Sequence, residues 1–217
     1  GIKNNAISDV SAVREVPPQR LVHNDIADCS LFESVIVHKE PLFDINNDKM
    51  LNGFALFYSD GSRASETAVT DSYALTNHAE LYGQHADLIK NKSTLPWRNV
   101  EVTDEIADGG LRAKRTIKYL DWEMNLSNNS DVNDPVFCRS DIYNSTNMSW
   151  AFQMFAGAYR DLCQNSMVFG GYKSGYAKKK HTKNFADMRA SLLSTANKTL
   201  ATFKEETARF MAWSTTK

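Results

Sequence analysis

Apolar and polar positions change period along the chain. Residues 31 to 43 (LFESVIVHKEPLF) and 49 to 61 (KMLNGFALFYSDG) are rich in β-branched and aromatic side chains, and the turn-forming DINND between them predicts a hairpin or neighbouring strands. Asp60-Gly61 supplies a second tight turn. After SETAVTDSYAL the period lengthens. In TNHAELYGQHADLIKN, Leu81, His85, Leu88 and Ile89 share one face at helical spacing, with Thr76 or Asn77 placed to cap and one glycine inside. KSTLPWRN then reads as a loop.

The period returns to two in LRAKRTIKYLDWEMNL (111 to 126), which leads to PVFCRSDIY (135 to 143), the polar turn NSTN and MSWAFQMFAGA, together predicting an antiparallel sheet. Alternation puts Arg112, Lys114, Lys118, Leu120, Trp122 and Met124 on one face of the first strand, with Arg115, Ile117 and Tyr119 on the other. Near the C-terminus, Phe185, Met188, Leu192, Ala196, Leu200, Phe203 and Phe210 follow three- and four-residue steps, the pattern of a long amphipathic helix. The expected class is α+β, a mostly antiparallel sheet with a helix after the first hairpin and a long C-terminal helix. Residues 1 to 30, polar and containing Pro17-Pro18, read as an N-terminal extension, and 31 to 217 as one domain.

Composition narrows the class further. With 217 residues, 42% apolar and 24% charged, the chain can bury a sizeable core and is not of disordered composition. It has no apolar run of the roughly 18 residues that cross a bilayer and no apolar block near its start, so a soluble intracellular protein is expected. Cys29, Cys138 and Cys163 are odd in number and widely spaced, which predicts free thiols rather than a disulfide framework or a cysteine-only zinc site.

The near-neutral net charge of −1 conceals an uneven distribution. Residues 172 to 217 carry ten Lys/Arg against three Asp/Glu, a net of +7, while the remaining 171 residues carry fifteen against twenty-three, a net of −8. Much of the positive charge falls in one connector between sheet and last helix. Lys173, Lys178, Lys179, Lys180 and Lys183 lie within eleven residues, interleaved with Tyr172 and Tyr176 and preceding or adjoining His181. Such a segment releases condensed counterions from a phosphate backbone and offers rings to unpaired bases, each stack contributing roughly 1 to 3 kcal/mol without regard to base identity. Arg112, Lys114 and Lys118 add a cationic sheet face, although a face of this kind is also the ordinary solvated side of an antiparallel sheet.

The order of several motifs resembles a known family. A Tyr-x-x-x-Asn run entering a helix (Tyr73 to Asn77), a strand pair ending in a polar Asn/Ser turn, Arg160-Asp161-Leu162-Cys163-Gln164-Asn165, and His181-Thr182 ahead of a long helix are similar to the phage and plasmid family described as domain of unknown function 932, over residues 70 to 205 or so. Asp161 stands where that family has an apolar residue, and the insert GGYKSGYAKK separates the last two blocks. The resemblance implies a role in phage or plasmid DNA biology, in the host cytoplasm if the chain is phage-encoded.

Other chemistries find little support. Cys163, His181 and Asn165 are the residue types of a thiol hydrolase, yet no motif presents the sulfur to substrate, and a cysteine flanked by Leu162 and Met167 is more often a packing residue. His78 and His85 are seven apart, too far for a two-ligand HxxxH clamp, so no metal is expected, and Gly170, Gly171 and Gly175 do not form a phosphate-binding GxxxxGK[ST] loop. Arg160 and Asn165 read as structural, the arginine pairing with Asp161 or Asp141. The expectation is therefore a non-catalytic, cofactor-free DNA-binding protein that prefers single strands, extending to strand annealing in recombination or replication, and a homo-oligomer, the amphipathic last helix being as suited to a subunit contact as to a core face. The alternative is an interaction factor that inhibits or decoys a host defence protein through the acidic first 171 residues.

Overall fold

The computed structural model describes residues 14, 16–65, 68–125, 127, 131, 133–160, 168–169, 176–179 and 185–214. Strand β1 (Gln19–His23) is followed by a helical turn α1 (Ser30–Glu33), the hairpin strands β2 (Val37–Phe43) and β3 (Lys49–Tyr58), and helix α2 (His78–Lys92). Four longer strands come next: β4 (Val100–Ala107), β5 (Arg112–Asn125), β6 (Pro135–Ser145) and β7 (Phe152–Arg160). Two short strands, β8 (Val168–Phe169) and β9 (Tyr176–Lys179), precede the C-terminal helix α3 (Phe185–Ser214). The main sheet runs β1-β4-β5-β6-β7-β8, with β9 also paired to β7, and β2-β3 forms a separate two-stranded sheet. Every pairing is antiparallel, and the class is α+β, as the change of period predicted. No helix among the described residues is long and apolar enough to cross a membrane.

Helices α2 and α3 lie against one face of the main sheet. Leu81, His85, Leu88 and Ile89 of α2 are all buried, as are Leu192, Ala196 and Phe203 of α3. They pack on the inward residues of the strands, among them Val102, Ile106, Ala113, Ile117, Tyr119, Ile142 and Met154. Each fully buried large apolar side chain contributes about 1.5–3 kcal/mol relative to exposure.

At the centre of this core sits a charge. Arg115 is wholly buried. Its Nε and Nη2 donate to the two carboxylate oxygens of Asp104 at 2.7 Å each, its Nη1 donates to the Ile26 carbonyl at 2.8 Å, and Nη2 also reaches the Asp28 carbonyl. The guanidinium lies 5.3 Å from the ring centroids of both Phe32 and Tyr82. Burial works against its charge, yet the hydrogen bonds and proximity of Asp104 outweigh that and raise its pKa. His23 Nε2 lies 2.8 Å from the same carboxylate. The fork thus joins β4 and β5 to β1 and the segment that follows it.

Several local expectations change. Within the first 30 residues, Gln19–His23 is an edge strand on β4, because β4 has an unpaired edge and Arg115 needs the carbonyls that follow β1. Ser30–Glu33, read as part of a β-rich run, is helical: the Cys29 carbonyl accepts from the Phe32 and Glu33 amides, turning Phe32 onto Tyr82 with ring centroids 4.5 Å apart. Strand β4 was not foreseen, although its burial alternates apart from Thr103. Asn77 occupies the N-cap of α2 without a side-chain cap bond; its amide instead donates to and accepts from the backbone of Val37. Trp122 leaves the cationic face. The β5–β6 register shifts between Tyr119 and Glu123, alternation breaks there, and Trp122 stacks on Phe203 of α3 at 6.2 Å.

Candidate functional site

The face of the main sheet away from the helices carries most of the charged side chains of β4, β5 and β6. Antiparallel register arranges it in rows. One row runs Arg20, Glu105, Lys114, Tyr143, Gln153 and Lys178 across β1, β4, β5, β6, β7 and β9. The next runs Val22, Thr103, Thr116, Asp141, Phe155 and Tyr176, and a third Glu101, Lys118, Arg139 and Gly157. The expected site residues Arg112, Lys114 and Lys118 therefore share a face. Tyr176, Lys178 and Lys179, expected in a loop, belong to β9, which pairs with the edge of β7 because that edge would otherwise leave backbone groups open. Tyr172, Lys173, Lys180, His181 and Lys183 lie outside the described residues, as do Cys163 and Asn165.

These rows enclose a polar groove of about 350 Å³. Its cations are Arg20, Lys114, Lys118 and Arg139, its acids Glu101 and Glu105, and Thr103, Thr116 and Tyr159 complete the wall. Aromatic rings support the cations. The Lys118 ammonium is 4.2 Å from the Phe137 ring centroid and 6.0 Å from that of Tyr159, and the Arg139 guanidinium is 4.4 Å from Tyr159. Lys114 lies 3.9 Å from Glu105 and 5.5 Å from the Tyr143 ring, a half-exposed pairing that leaves it open to a second anion. Arg139 donates to Asp141 at 2.9 Å, and the Thr116 hydroxyl donates to the same carboxylate oxygen at 2.8 Å. Asp141 thus pairs with Arg139 and Thr116, while the side chain of Arg160, its expected partner, lies outside the described residues.

Beside the groove and sharing Glu105 and Lys114 with it lies a smaller, apolar hollow of about 190 Å³, walled by Ala107, Arg112, Tyr143 and Trp150. Arg112 lies 5.0 Å from the Trp150 ring and donates from Nε to the Ser149 hydroxyl at 2.9 Å, with the Asp108 carboxylate 3.6 Å away. Tyr143 meets Trp150 and Phe155 edge to face, at 5.8 Å each.

The loop that carries Trp150 is held by the motif residues of the sequence. The Ser145 hydroxyl accepts from the Trp150 amide and donates to the Trp150 carbonyl, both at 2.9 Å. The Asn147 side chain accepts from the Ser149 amide, and the Tyr73 hydroxyl donates to the Thr146 carbonyl at 2.8 Å. Asn144 donates to the Thr76 carbonyl and meets His78 Nδ1 at 2.9 Å, while His78 Nε2 lies 2.9 Å from the Gly110 carbonyl. Tyr73, Thr76 and His78 thus hold Asn144 and Thr146 of the NSTN turn in one buried latch at the root of the Trp150 loop.

Sequence reasoning missed Arg20, Glu101, Glu105, Arg139, Tyr143, Trp150 and Tyr159. The alternation in RSDIY was a usable signal for Arg139 and Tyr143; the others come together only through register. Cys29 and Cys138 are free and buried, and burial raises both thiol pKa values. Among the described residues no group of three His, Cys, Asp or Glu side chains could hold a metal ion.

No curated protein and no solved structure matches this chain. A family model does, over residues 68–217, which spans α2 to α3 and the whole latch but not β1 with its Arg20. The chain belongs to the family described as Domain of unknown function (DUF932).

Proposed function

We propose that this protein binds single-stranded DNA along the open face of its main sheet, without catalysis, as a strand-coating and strand-annealing factor of a phage or plasmid. The observation that carries the reading is the groove whose wall brings Arg20, Lys114, Lys118 and Arg139 together with the Tyr159 ring, with the Tyr143 ring beside Lys114 at its margin. Cations at strand spacing suit a sugar-phosphate backbone, and rings between them suit unpaired bases. The net charge of +7 over residues 172 to 217 and the registers of Tyr176 and Lys178 with Phe155 and Gln153 support the same assignment. Annealing requires copies to bring two strands together, so the reading includes a homo-oligomer assembled on DNA.

The test is fluorescence anisotropy with labelled oligo-dT and a matching duplex, titrated across salt. Affinity is expected to be higher for the single strand and to fall linearly on a log–log scale. Each phosphate contact removed lowers the slope by about 0.7, so Lys114→Ala with Lys118→Ala lowers it by about 1.4. Absence of binding to oligo-dT at low salt sinks the proposal.

A further inference from the structure

Resting on the strand-binding reading, we infer that the apolar hollow beside Trp150 is a base pocket. It receives one unstacked base of the bound strand while Arg112 and Lys114 meet the phosphates on either side.

Size, chemistry and rigidity converge on this occupant. At about 190 Å³ the hollow is smaller than the roughly 300–1,000 Å³ of sites that enclose whole small molecules, and it suits one planar ring system. Its walls are the half-buried rings of Tyr143 and Trp150 and the short side chain of Ala107, whereas the adjoining groove is polar. A ligand that fills both must be apolar and flat at one point and anionic beside it, as a nucleotide within a strand is. The cations stand at the boundary: Arg112 is held by Ser149 and Asp108 next to the Trp150 ring, and Lys114 lines both spaces.

The latch supplies the remaining support. Trp150 is the only tryptophan of this face among the described residues, and both its backbone polar groups are tied to a single hydroxyl, that of Ser145. Met148, two residues earlier, has a φ of 64°, a left-handed conformation that non-glycine residues adopt at a cost and that the surrounding bonds maintain. Asn144, Thr146 and Tyr73 anchor the loop to the core. A ring fixed in this way stacks on a base with little further loss of side-chain freedom.

The experiment compares labelled oligo-dT with an abasic oligonucleotide of equal length, using the full chain. Trp150→Ala is expected to weaken oligo-dT binding roughly ten-fold and to leave abasic binding unchanged, whereas Lys118→Ala weakens both. Oligo-dT, but not the abasic strand, is expected to quench intrinsic fluorescence, and Trp150→Phe, which keeps a ring, is expected to remove that quenching while retaining most of the affinity. If the wild type binds both oligonucleotides equally, or Trp150→Ala weakens both to the same extent, the pocket is refuted and strand binding stands. If the wild type binds neither, both readings fall.

Discussion

Removing the carboxylate of Asp104 leaves Arg115 with nowhere to place its charge. The Arg115 and Asp104 side chains are 0% and 1% exposed, so neither water nor counterions can replace the lost partner. Asp104→Ala deletes two of the four hydrogen bonds that the guanidinium makes and all of the formal negative charge it touches. Breaking a buried pair from one side costs about 3–5 kcal/mol, against a total stability of about 5–15 kcal/mol for a domain of ordinary size. Replacing both partners by apolar residues of similar volume, Asp104→Leu with Arg115→Met, removes the charges together and costs far less from the pair itself. The carbonyls of Ile26 and Asp28 then lose a donor, at about 1–3 kcal/mol for each that stays dry. Equilibrium urea unfolding of the wild type, Asp104→Leu, Arg115→Met and the double variant closes the cycle. The double variant is expected to be more stable than the sum of the singles by at least about 2 kcal/mol, within the range measured for residues in one network. If Asp104→Ala costs under about 1 kcal/mol, or the single effects simply add, the pair is solvated and does not clamp β1 to β4 and β5.

Acid should weaken the fold through His85, whose fully buried imidazole has no partner for either ring nitrogen and whose pKa burial and the nearby Arg115 push down to about 3. The unfolded chain takes up that proton near pH 6.5, so stability falls as pH drops through that value, by about 2 kcal/mol between pH 7.5 and pH 5. Urea midpoints should show this loss, and His85→Leu should remove it; an unchanged acid limb in the variant would assign the loss elsewhere. Gly110 and Gly61 share a φ of 83°, but a Cβ on Gly110 would lie 2.4 Å from Val35 Cγ1, while nothing lies within 4 Å at Gly61. Gly61→Ala is therefore expected to cost only the left-handed strain of about 1–2 kcal/mol, and Gly110→Ala clearly more, by thermal or urea unfolding.

The sequence by itself determined the features that depend on covalent periodicity. A strand turns its side chains every two residues and a helix every 3.6, so Lys114 and Lys118 opposite Arg115 and Ile117, the inward face of α2, and Leu192, Ala196 and Phe203 of α3 are all legible in the sequence. Three of the cationic site residues, Arg112, Lys114 and Lys118, were legible for the same reason, since they sit on one strand. What the tertiary structure alone decided is everything that crosses between strands. The rows that set Arg20, Lys114, Arg139 and Tyr143 on one face depend on hydrogen-bond register between separate segments, as far apart in sequence as Gln19 and Ile106, which leaves no local trace. The bulge that turns Trp122 to the helices, the diversion of Asn77 from capping α2 to pairing with Val37, and the helical turn at Ser30–Glu33 arise in the same way. In each, a distant partner provides more hydrogen bonding or apolar burial than the local alternative, and the buried charge of Arg115 demands acceptors that only two separate segments, β4 and the stretch after β1, together supply.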